Sequence, residues 1–182
     1  MQIETERLLI RTIQPGDVEV LARLWSDPAV TRHMGGARDY SKMVEVFSQD
    51  AADDPQPPFD LWVTTEKASG RFIGHCGITE KEVDGVLEYE LVYVLAVEAW
   101  GKGYATEAAR GIKAAAVTRF GLTRLIALIE PENEGSRRVA EKAGFHFEKE
   151  TLRPDGKYRR VYSIALDAPP GLRESGTDQS AL

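Results

Sequence analysis

One continuous stretch, residues 87–130, constrains the fold of this chain more than any other part. It starts with the strand-like run LEYELVYVLAV and ends with LTRLIALIE, a run whose centre is apolar on both faces. Between these runs, apolar residues recur at helical spacing from Ala105 to Phe120, and Gly121 follows as a helix-ending residue. A helix that joins two strands in this way lets the second strand run parallel to the first. The stretch therefore predicts a parallel strand pair with a crossover helix.

The elements before this stretch are indicated by apolar spacing and by turn residues. ETERLLIRTIQ predicts one strand, which ends at Pro15. Asp17 is a good N-cap for the helix VEVLARLWS, and Ser41 is a good cap for the helix KMVEVFSQDAA. FDLWVTTE and RFIGHCGIT read as strands that form an antiparallel meander with LEYELVYVLAV. The chain before LEYELVYVLAV therefore predicts three strands and two helices.

The elements after the stretch complete the fold class. PENEGSRRVAEKAGF predicts a short helix that stops at Gly144, and HFEKETL and KYRRVYSIAL predict a hairpin around the turn RPDG. We therefore expect an α/β chain of the α+β kind, with a single mixed, mostly antiparallel sheet flanked by helices, in one domain over residues 1–167. The tail, residues 168–182, is polar and contains prolines, and we expect it to be disordered.

Composition excludes several classes of partner and compartment. The net charge of −6 argues against a nucleic-acid partner held by bulk electrostatics. No apolar run approaches the roughly 20 residues of a membrane span. The first residues, MQIETERLLI, carry acid where a secretory signal carries base, so we expect a cytoplasmic protein. The single cysteine, Cys76, lies in an apolar run and is expected to be a buried small residue rather than a nucleophile.

The segment AWGKGYATEA, residues 99–108, places two glycines directly before the crossover helix. The first turn of a helix has N–H groups without internal partners, and phosphate is a natural ligand for them. Gly101 and Gly103 would let successive amides point at one anion. The P-loop spacing GxxxxGK[ST] is absent, and a dinucleotide fingerprint would need a third glycine where Thr106 stands. Taken alone, the segment also fits a tight turn that binds nothing.

Several motifs in the same order resemble one superfamily. WGKGYATEA and PENEGSRRVAEKAGF, with the opening TERLLIR and the stretch DLWVTTEKASGRFIGHCGI, are similar to the GNAT N-acetyltransferases, and in particular to the branch of ribosomal-protein N-terminal alanine acetyltransferases. The resemblance covers about residues 3–166 and departs from the family pattern Q/R-x-x-G-x-G/A at Trp100. It implies the GNAT acyl-CoA N-acyltransferase fold and direct transfer of acetyl from acetyl-CoA to an amine, without a metal.

The resemblance also implies the residues that bind acetyl-CoA. Backbone amides of the turn would bind its pyrophosphate, with support from a lysine cation and a threonine hydroxyl: Gly101, Lys102, Gly103, Tyr104, Ala105 and Thr106. Where two strands part, backbone groups would bind the pantetheine arm: Leu95, Ala96 and Val97. Asn133 would bind pantetheine or position substrate, although it also fits a helix cap.

Candidate catalytic residues follow from the chemistry of amine acetylation. Glu90 is the preferred base, His75 is its competitor, and a solvated strand face is the alternative explanation for Glu88 and Glu90. A strand amide near Leu95 would stabilise the charge on the acetyl oxygen. Counted from Asn133, the position of the tyrosine acid found in many relatives is Ala140 here.

Ser136 is therefore the candidate that assists the departing thiolate, as the resemblance implies, and it also fits an N-cap. Tyr162 is the reserve. Arg137 and Arg138 would meet coenzyme A phosphate or solvent. The acceptor groove is expected near Trp25, His33, Met34 and Phe47, which also fit an ordinary core.

The expected partners are acetyl-CoA and an amine acceptor, either a protein N-terminus or a small molecule. No nucleic acid or membrane partner is expected, and a homodimer is compatible with the sequence. The alternative of another class is a non-catalytic acyl-CoA sensor, which the absence of the usual tyrosine keeps open.

Overall fold

The structure is a computed structural model that describes residues 1–167. The expectation of a disordered tail at residues 168–182 lies outside the described residues. Within the described part, eight strands form one sheet in the order β1-β2-β3-β4-β5-β6-β8-β7. The strands are β1 Gln2–Glu4, β2 Leu8–Arg11, β3 Leu61–Glu66, β4 Phe72–Val83, β5 Val86–Leu95, β6 Arg124–Ile129, β7 His146–Leu152 and β8 Tyr158–Ala165. The helices are α1 Val18–Ser26, α2 Pro28–Thr31, α3 Tyr40–Asp50, α4 Tyr104–Phe120 and α5 Glu134–Lys142.

The parallel pair predicted from residues 87–130 is confirmed. β5 and β6 pair in parallel and are joined by α4, while every other neighbouring pair is antiparallel. Gly121 ends α4 with a left-handed φ of 63°, as its position in the sequence indicates. The predicted fold class, a single mixed and mostly antiparallel sheet flanked by helices, is therefore confirmed.

The first predicted strand is in fact two strands. β1 and β2 pair with each other, and the chain turns between them at residues 5–7. The Thr5 N–H donates to the Leu8 carbonyl at 2.9 Å, and the Leu8 N–H donates to Thr5 Oγ1 at 3.0 Å. A threonine hydroxyl that bonds to nearby backbone closes this turn in a run that otherwise reads as continuous strand.

Two of the predicted helix caps differ in the structure. Asp17 is the N-cap residue of α1, as predicted, but its carboxylate makes no bond to the helix and accepts from Arg11 at 2.6 and 2.9 Å and from the Gln14 N–H at 2.8 Å. α3 begins at Tyr40 and is capped by Asp39, whose side chain accepts from the Lys42 N–H at 2.9 Å, so Ser41 lies inside the helix. A short helix that was not predicted, α2, begins at Pro28.

Helices cover both faces of the sheet. α4 and α5 pack on one face, where Ile112 and Ala140 join a core that includes Trp62. α1 and α3 pack through Leu21 and Phe47 on a second cluster that includes Val63. Because neighbouring residues of a strand point to opposite faces, these two clusters lie on opposite sides of β3. Cys76 is fully buried, and burial raises the pKa of its thiol to about 11, so its predicted role as a small core residue is confirmed.

Candidate active site

A cleft of about 640 Å³ opens where β5 and β6 part. The two strands are in register at Glu90 and Ile126, and past this pair residues 91–95 of β5 and 127–130 at the end of β6 line the cleft. The beginnings of α4 and α5 form further walls, together with the segment around Ala29–Met34. Parting two parallel strands at their carboxyl ends thus creates a concave site within the sheet.

Leu95 directs its backbone polar groups into this gap. The Ala96 N–H donates to the Ile73 carbonyl at 3.0 Å, so Leu95, which lies opposite Gly74, occupies a non-hydrogen-bonded position of the β4–β5 ladder. The N–H and C=O of such a residue point away from the neighbouring strand, here towards β6. Among the three residues predicted to bind pantetheine, Leu95 lines the cleft, whereas the Ala96 amide serves the ladder and Val97 lies in a 3₁₀ turn.

Trp100, which departs from the family pattern, has a definite contact. Its indole N–H donates to the Leu95 carbonyl at 2.9 Å, although its side chain remains 48% exposed. A carbonyl oxygen has two lone pairs, so one acceptor site of Leu95 remains. The indole therefore fixes the end of β5 beside the glycine turn.

The glycine turn has the backbone geometry of an anion site. Gly101 and Gly103 have left-handed φ values of 72° and 82°, and a Cβ added at Gly101 would meet no atom within 4 Å. The first intrahelical bond of α4 runs from the Glu107 N–H to the Gly103 carbonyl at 3.1 Å. The N–H groups of Tyr104, Ala105 and Thr106 therefore have no acceptor within the helix.

These turn residues face the cleft with one exception. The cleft is lined by Gly101, Gly103, Tyr104, Ala105 and Thr106, whereas Lys102 is not among its lining residues. Gly103 is the N-cap of α4 and contributes no side-chain bond to the helix start. Open amides at a helix N-terminus can bind a diphosphate.

Asn133 is the N-cap of α5. Its Oδ1 accepts from the Ser136 N–H at 3.0 Å, and the helix begins at Glu134. The prediction that Ser136 caps this helix is therefore wrong, since Ser136 lies in the first turn. Both residues line the cleft, so the capping role of Asn133 and a role towards a ligand are compatible.

Ser136 has a partner that the sequence did not indicate. The Tyr93 hydroxyl lies 3.0 Å from Ser136 Oγ and donates to the Ser136 carbonyl at 2.9 Å. Burial raises the pKa of Tyr93, so its phenol remains protonated. A phenol has one proton. While the carbonyl accepts it, the Ser136 hydroxyl is the donor in the contact with the Tyr93 oxygen, and when the phenol donates to Ser136 Oγ instead, the Ser136 proton is available to another acceptor. Ala140, where many relatives carry tyrosine, is buried in the core.

Glu90 lies at the point where β5 and β6 separate. It lines the cleft on the opposite face of β5 from Tyr93. Burial raises the pKa of its carboxyl, and the nearby Lys81 cation opposes this shift. Glu88, two residues earlier, forms an ion pair with Arg124 at 3.1 Å and is not a lining residue. A partly buried carboxyl with a raised pKa is a typical proton acceptor in enzyme sites.

His75, the competing base, is part of the core between α1, α3 and β4. Its Nδ1 accepts from the Trp25 indole at 3.2 Å, and its Nε2 lies 3.0 Å from the Leu61 carbonyl. Burial lowers the pKa of His75 to about 4. Trp25 and Phe47 pack around this imidazole, and neither of them lines the cleft, although both were expected in the acceptor groove.

Tyr162, the reserve acid, is buried against Phe147 and is not a lining residue either.

The acceptor end of the cleft holds His33 and Met34, as expected, and an ion-pair cluster that was not predicted. The Glu130 carboxylate lies 2.9 Å from His33 Nδ1 and 2.9 Å from the Arg159 guanidinium. His33 lies in the turn after α2, Glu130 directly follows β6, and Arg159 lies in β8. These positions are distant in sequence, so no local pattern indicates the cluster. His33 and Arg159 thus occupy one oxygen each of the Glu130 carboxylate.

The two arginines of α5 differ. Arg137 forms ion pairs with Glu134 at 2.6 Å and Glu141 at 2.8 Å on the helix surface. Arg138 lines the cleft, as does Lys142 one turn further along. Arg138 is therefore the better placed of the pair to meet a phosphate.

Two features are absent from the described residues. Residues 1–167 contain no cluster of three or more histidine, cysteine, aspartate or glutamate side chains suited to a metal ion. None of the described helices has the length and apolar character needed to span a membrane.

Comparison with known proteins identifies the family. Residues 7–146 match the acetyltransferase (GNAT) domain. Over 162 residues the chain is 32% identical to the uncharacterised protein YkkB of Bacillus subtilis (strain 168), covering 88% of this chain and 94% of that protein. It is 31% identical over 175 residues to the uncharacterised N-acetyltransferase p20 of Bacillus licheniformis, covering 89% and 93% of the two chains.

A solved structure supports the same assignment. The GNAT-family acetyltransferase from Bacillus anthracis superimposes with a TM-score of 0.76 at 25% identity, covering 91% of this chain and 98% of that one. The region that matches the family domain, residues 7–146, contains the parted strands, the glycine turn and the start of α5. The chain therefore belongs to the GNAT family of N-acetyltransferases.

Proposed function

We propose that this protein transfers acetyl directly from acetyl-CoA to a single primary amine, the best candidate being the α-amine of a polypeptide. The observation that carries the proposal is that one cleft brings together Leu95, the glycine turn, Glu90 and Ser136. Each of the four meets one requirement of direct acyl transfer. The family assignment supports the reaction, and the charges of the cleft support the acceptor.

The cleft fits acetyl-CoA, which supplies an acetyl thioester. The open side of Gly101 and the amides of Tyr104, Ala105 and Thr106 would hold its diphosphate. Arg138 and Lys142 add positive charge on the same wall. The Leu95 N–H, directed into the gap between β5 and β6, would donate to the acetyl oxygen and stabilise negative charge there; donors of this kind contribute about 3 kcal/mol.

The two proton-handling groups approach the gap from opposite faces of the sheet. Glu90 would accept the proton of the amine, directly or through one water, on the side of α1 and α3. On the α5 side, the Ser136 hydroxyl would donate a hydrogen bond to the sulfur as it leaves. The base and the group that assists the thiolate thus lie on opposite sides of β5. This arrangement suits attack of the amine from one face and departure of the thiolate on the other.

The charges of the acceptor end favour an acceptor with one ammonium group. Of the two carboxylates among the described lining residues, Glu130 is bound by His33 and Arg159, which leaves Glu90. Arg32 adds a cation at the same end. A polyamine or an aminoglycoside carries several positive charges and would need several available carboxylates. An α-amine has a pKa of about 8, against about 10.4 for lysine, so a single carboxylate suffices to deprotonate it.

The proposal is tested by release of free thiol from acetyl-CoA over a panel of amines. The panel contains a peptide with a free N-terminal alanine, the same peptide blocked at its N-terminus but carrying a lysine, a small monoamine and spermidine. We expect the free α-amine peptide to have the highest kcat/KM. Preference for spermidine or the monoamine would overturn the polypeptide acceptor. Binding of coenzyme A without turnover of any amine would instead indicate a non-catalytic acyl-CoA sensor.

A further inference from the structure

Arg7, in the turn between β1 and β2, contacts three of the six residues from Lys102 to Glu107 and lies beside a fourth, Gly103. Its Nη1 donates to the Lys102 carbonyl at 3.1 Å, and its guanidinium lies 4.6 Å from the centre of the Tyr104 ring. A Cβ added at Gly103 would lie 3.5 Å from Arg7 Nη2. Arg7 also donates to the two oxygens of Glu107, from its backbone N–H at 2.7 Å and from Nε at 2.6 Å.

The surroundings of Arg7 hold it in this position. Glu107 also accepts from Thr5 Oγ1 at 2.6 Å. Burial opposes ionisation of Glu107, but the hydrogen bonds from Thr5 and Arg7 outweigh it and lower the pKa of Glu107, so its carboxylate stays charged. The Tyr104 hydroxyl donates to Glu66 at the end of β3. The glycine turn is thus tied to the β1–β2 turn and to β3.

The bond to the Lys102 carbonyl has a direct consequence for the neighbouring amide. In a trans peptide the C=O and the following N–H point in opposite directions. When Arg7 holds the Lys102 oxygen on its own side, the Gly103 N–H is turned to the other side. Gly103 has a flexible backbone and no side chain, so nothing within the turn itself would fix that orientation.

We propose that Arg7 is a positioning residue for the diphosphate of acetyl-CoA, because it orients the Gly103 amide and the start of α4 before the ligand binds. The inference rests on the proposed function, in which this turn binds the diphosphate. It assigns a role to a residue of the TERLLIR segment, which the sequence indicates only as part of a strand and of the family resemblance. Most of the Arg7 charge is satisfied by Glu107, so its effect acts through the orientation of the turn.

The test compares ligands with and without a diphosphate. The dissociation constant of coenzyme A is measured by calorimetry, and kcat/KM is measured with acetyl-pantetheine, which lacks the diphosphate. In Arg7→Met we expect coenzyme A to bind roughly tenfold or more weakly, as for loss of a charge-assisted hydrogen bond. Turnover of acetyl-pantetheine should stay within about twofold of wild type, because that ligand does not reach the turn. Arg23→Met is the matched control, since Arg23 pairs with Glu19 on the exposed surface of α1.

Two outcomes overturn the inference. Wild-type affinity for coenzyme A in folded Arg7→Met would show that the turn needs no support from Arg7. Equal losses with both ligands would show a general structural role. If Arg7→Met does not fold, Arg7→Lys, which keeps the charge but lacks the guanidinium fork, must show the same selective loss. Failure of the wild-type protein to bind coenzyme A would contradict the proposed function instead.

Discussion

Ser136 owes its orientation to Tyr93, 43 positions away in the chain. The phenol bonds both the carbonyl and the hydroxyl of Ser136, so the serine side chain is directed into the cleft although its own backbone N–H is used by Asn133. A serine hydroxyl is a weak acid, and its contribution to a departing thiolate is a hydrogen bond. Single-residue effects at this position should therefore be moderate.

We expect Ser136→Ala to lower kcat about tenfold, the cost of one hydrogen bond to a developing charge, and to change the dissociation constant of coenzyme A by less than about twofold. Steady-state kinetics and calorimetry check the two quantities. Ser41→Ala, at an exposed position of α3, is the control. An unchanged kcat would exclude Ser136 from the chemistry, and an equal loss of affinity would make it a binding residue.

Glu90 should affect both the pH profile of activity and that of stability. As a base it acts only when ionised, so its raised pKa should place the acid limb of kcat/KM above the usual carboxyl range, and Glu90→Gln should remove that limb. Glu88→Gln, on the same strand but paired with Arg124, should keep the profile. A wild-type profile in Glu90→Gln would assign the base elsewhere.

Ionised Glu90 is expected to assist the reaction but to lower the stability of the folded state. A carboxyl whose pKa is raised by folding binds its proton more tightly in the folded state, so stability present below the unfolded pKa, about 4.3, is lost as the pH rises through the folded value. We expect Glu90→Gln to raise Tm relative to wild type at neutral pH, and the gain to vanish at acid pH. A lower Tm at neutral pH would contradict the shift.

At the scale of elements, α1 is joined to the sheet by a polar contact with the His75 imidazole within an apolar core, and α3 packs on the same imidazole through Phe47. His75 receives the Trp25 indole N–H and faces the Leu61 carbonyl, so both ring nitrogens have partners in the neutral form. With both ring nitrogens paired in the core, His75 is not available as the base that the sequence suggested. It also makes the packing of these helices sensitive to acid.

The pKa of His75 is lowered to about 4, against about 6.5 in the unfolded chain. A histidine with a depressed folded pKa contributes stability above the unfolded value that is lost as the pH falls towards the folded value. We expect the free energy of unfolding to fall by about 3 kcal/mol between these values, the equivalent of the shift. Urea titrations across this range measure it. His75→Gln should be less stable at neutral pH but lack this slope, and an equal slope would assign it to other groups.

At the scale of the whole molecule, the parts that follow from local sequence were predicted and those that depend on distant partners were not. The crossover through α4 and the turn at Gly101 could be predicted because the helical spacing and the glycines that indicate them lie in one continuous stretch of sequence. The division of the first strand at Thr5 depends on one side-chain bond within a strand-like run. The Arg7–Glu107 and Tyr93–Ser136 contacts join residues 100 and 43 positions apart, which no periodicity reveals.

The same limit applies to the cleft. Glu90 and Leu95 could be placed on one strand from the sequence, and Asn133 and Ser136 on a helix start. That Trp25 and Phe47 would surround His75 rather than line the acceptor end depends on how α1 and α3 pack on the sheet. The assignment of the site to a family was possible because several short motifs occur in the same order.

The central claim, that open backbone amides at the parted strands bind acetyl-CoA, is tested most directly by a crystal structure with coenzyme A. We expect the diphosphate on the N–H groups of the Gly101–Thr106 turn and the sulfur between the Leu95 N–H and the Ser136 hydroxyl. A diphosphate bound elsewhere on the molecule, or a sulfur distant from both groups, would contradict the account.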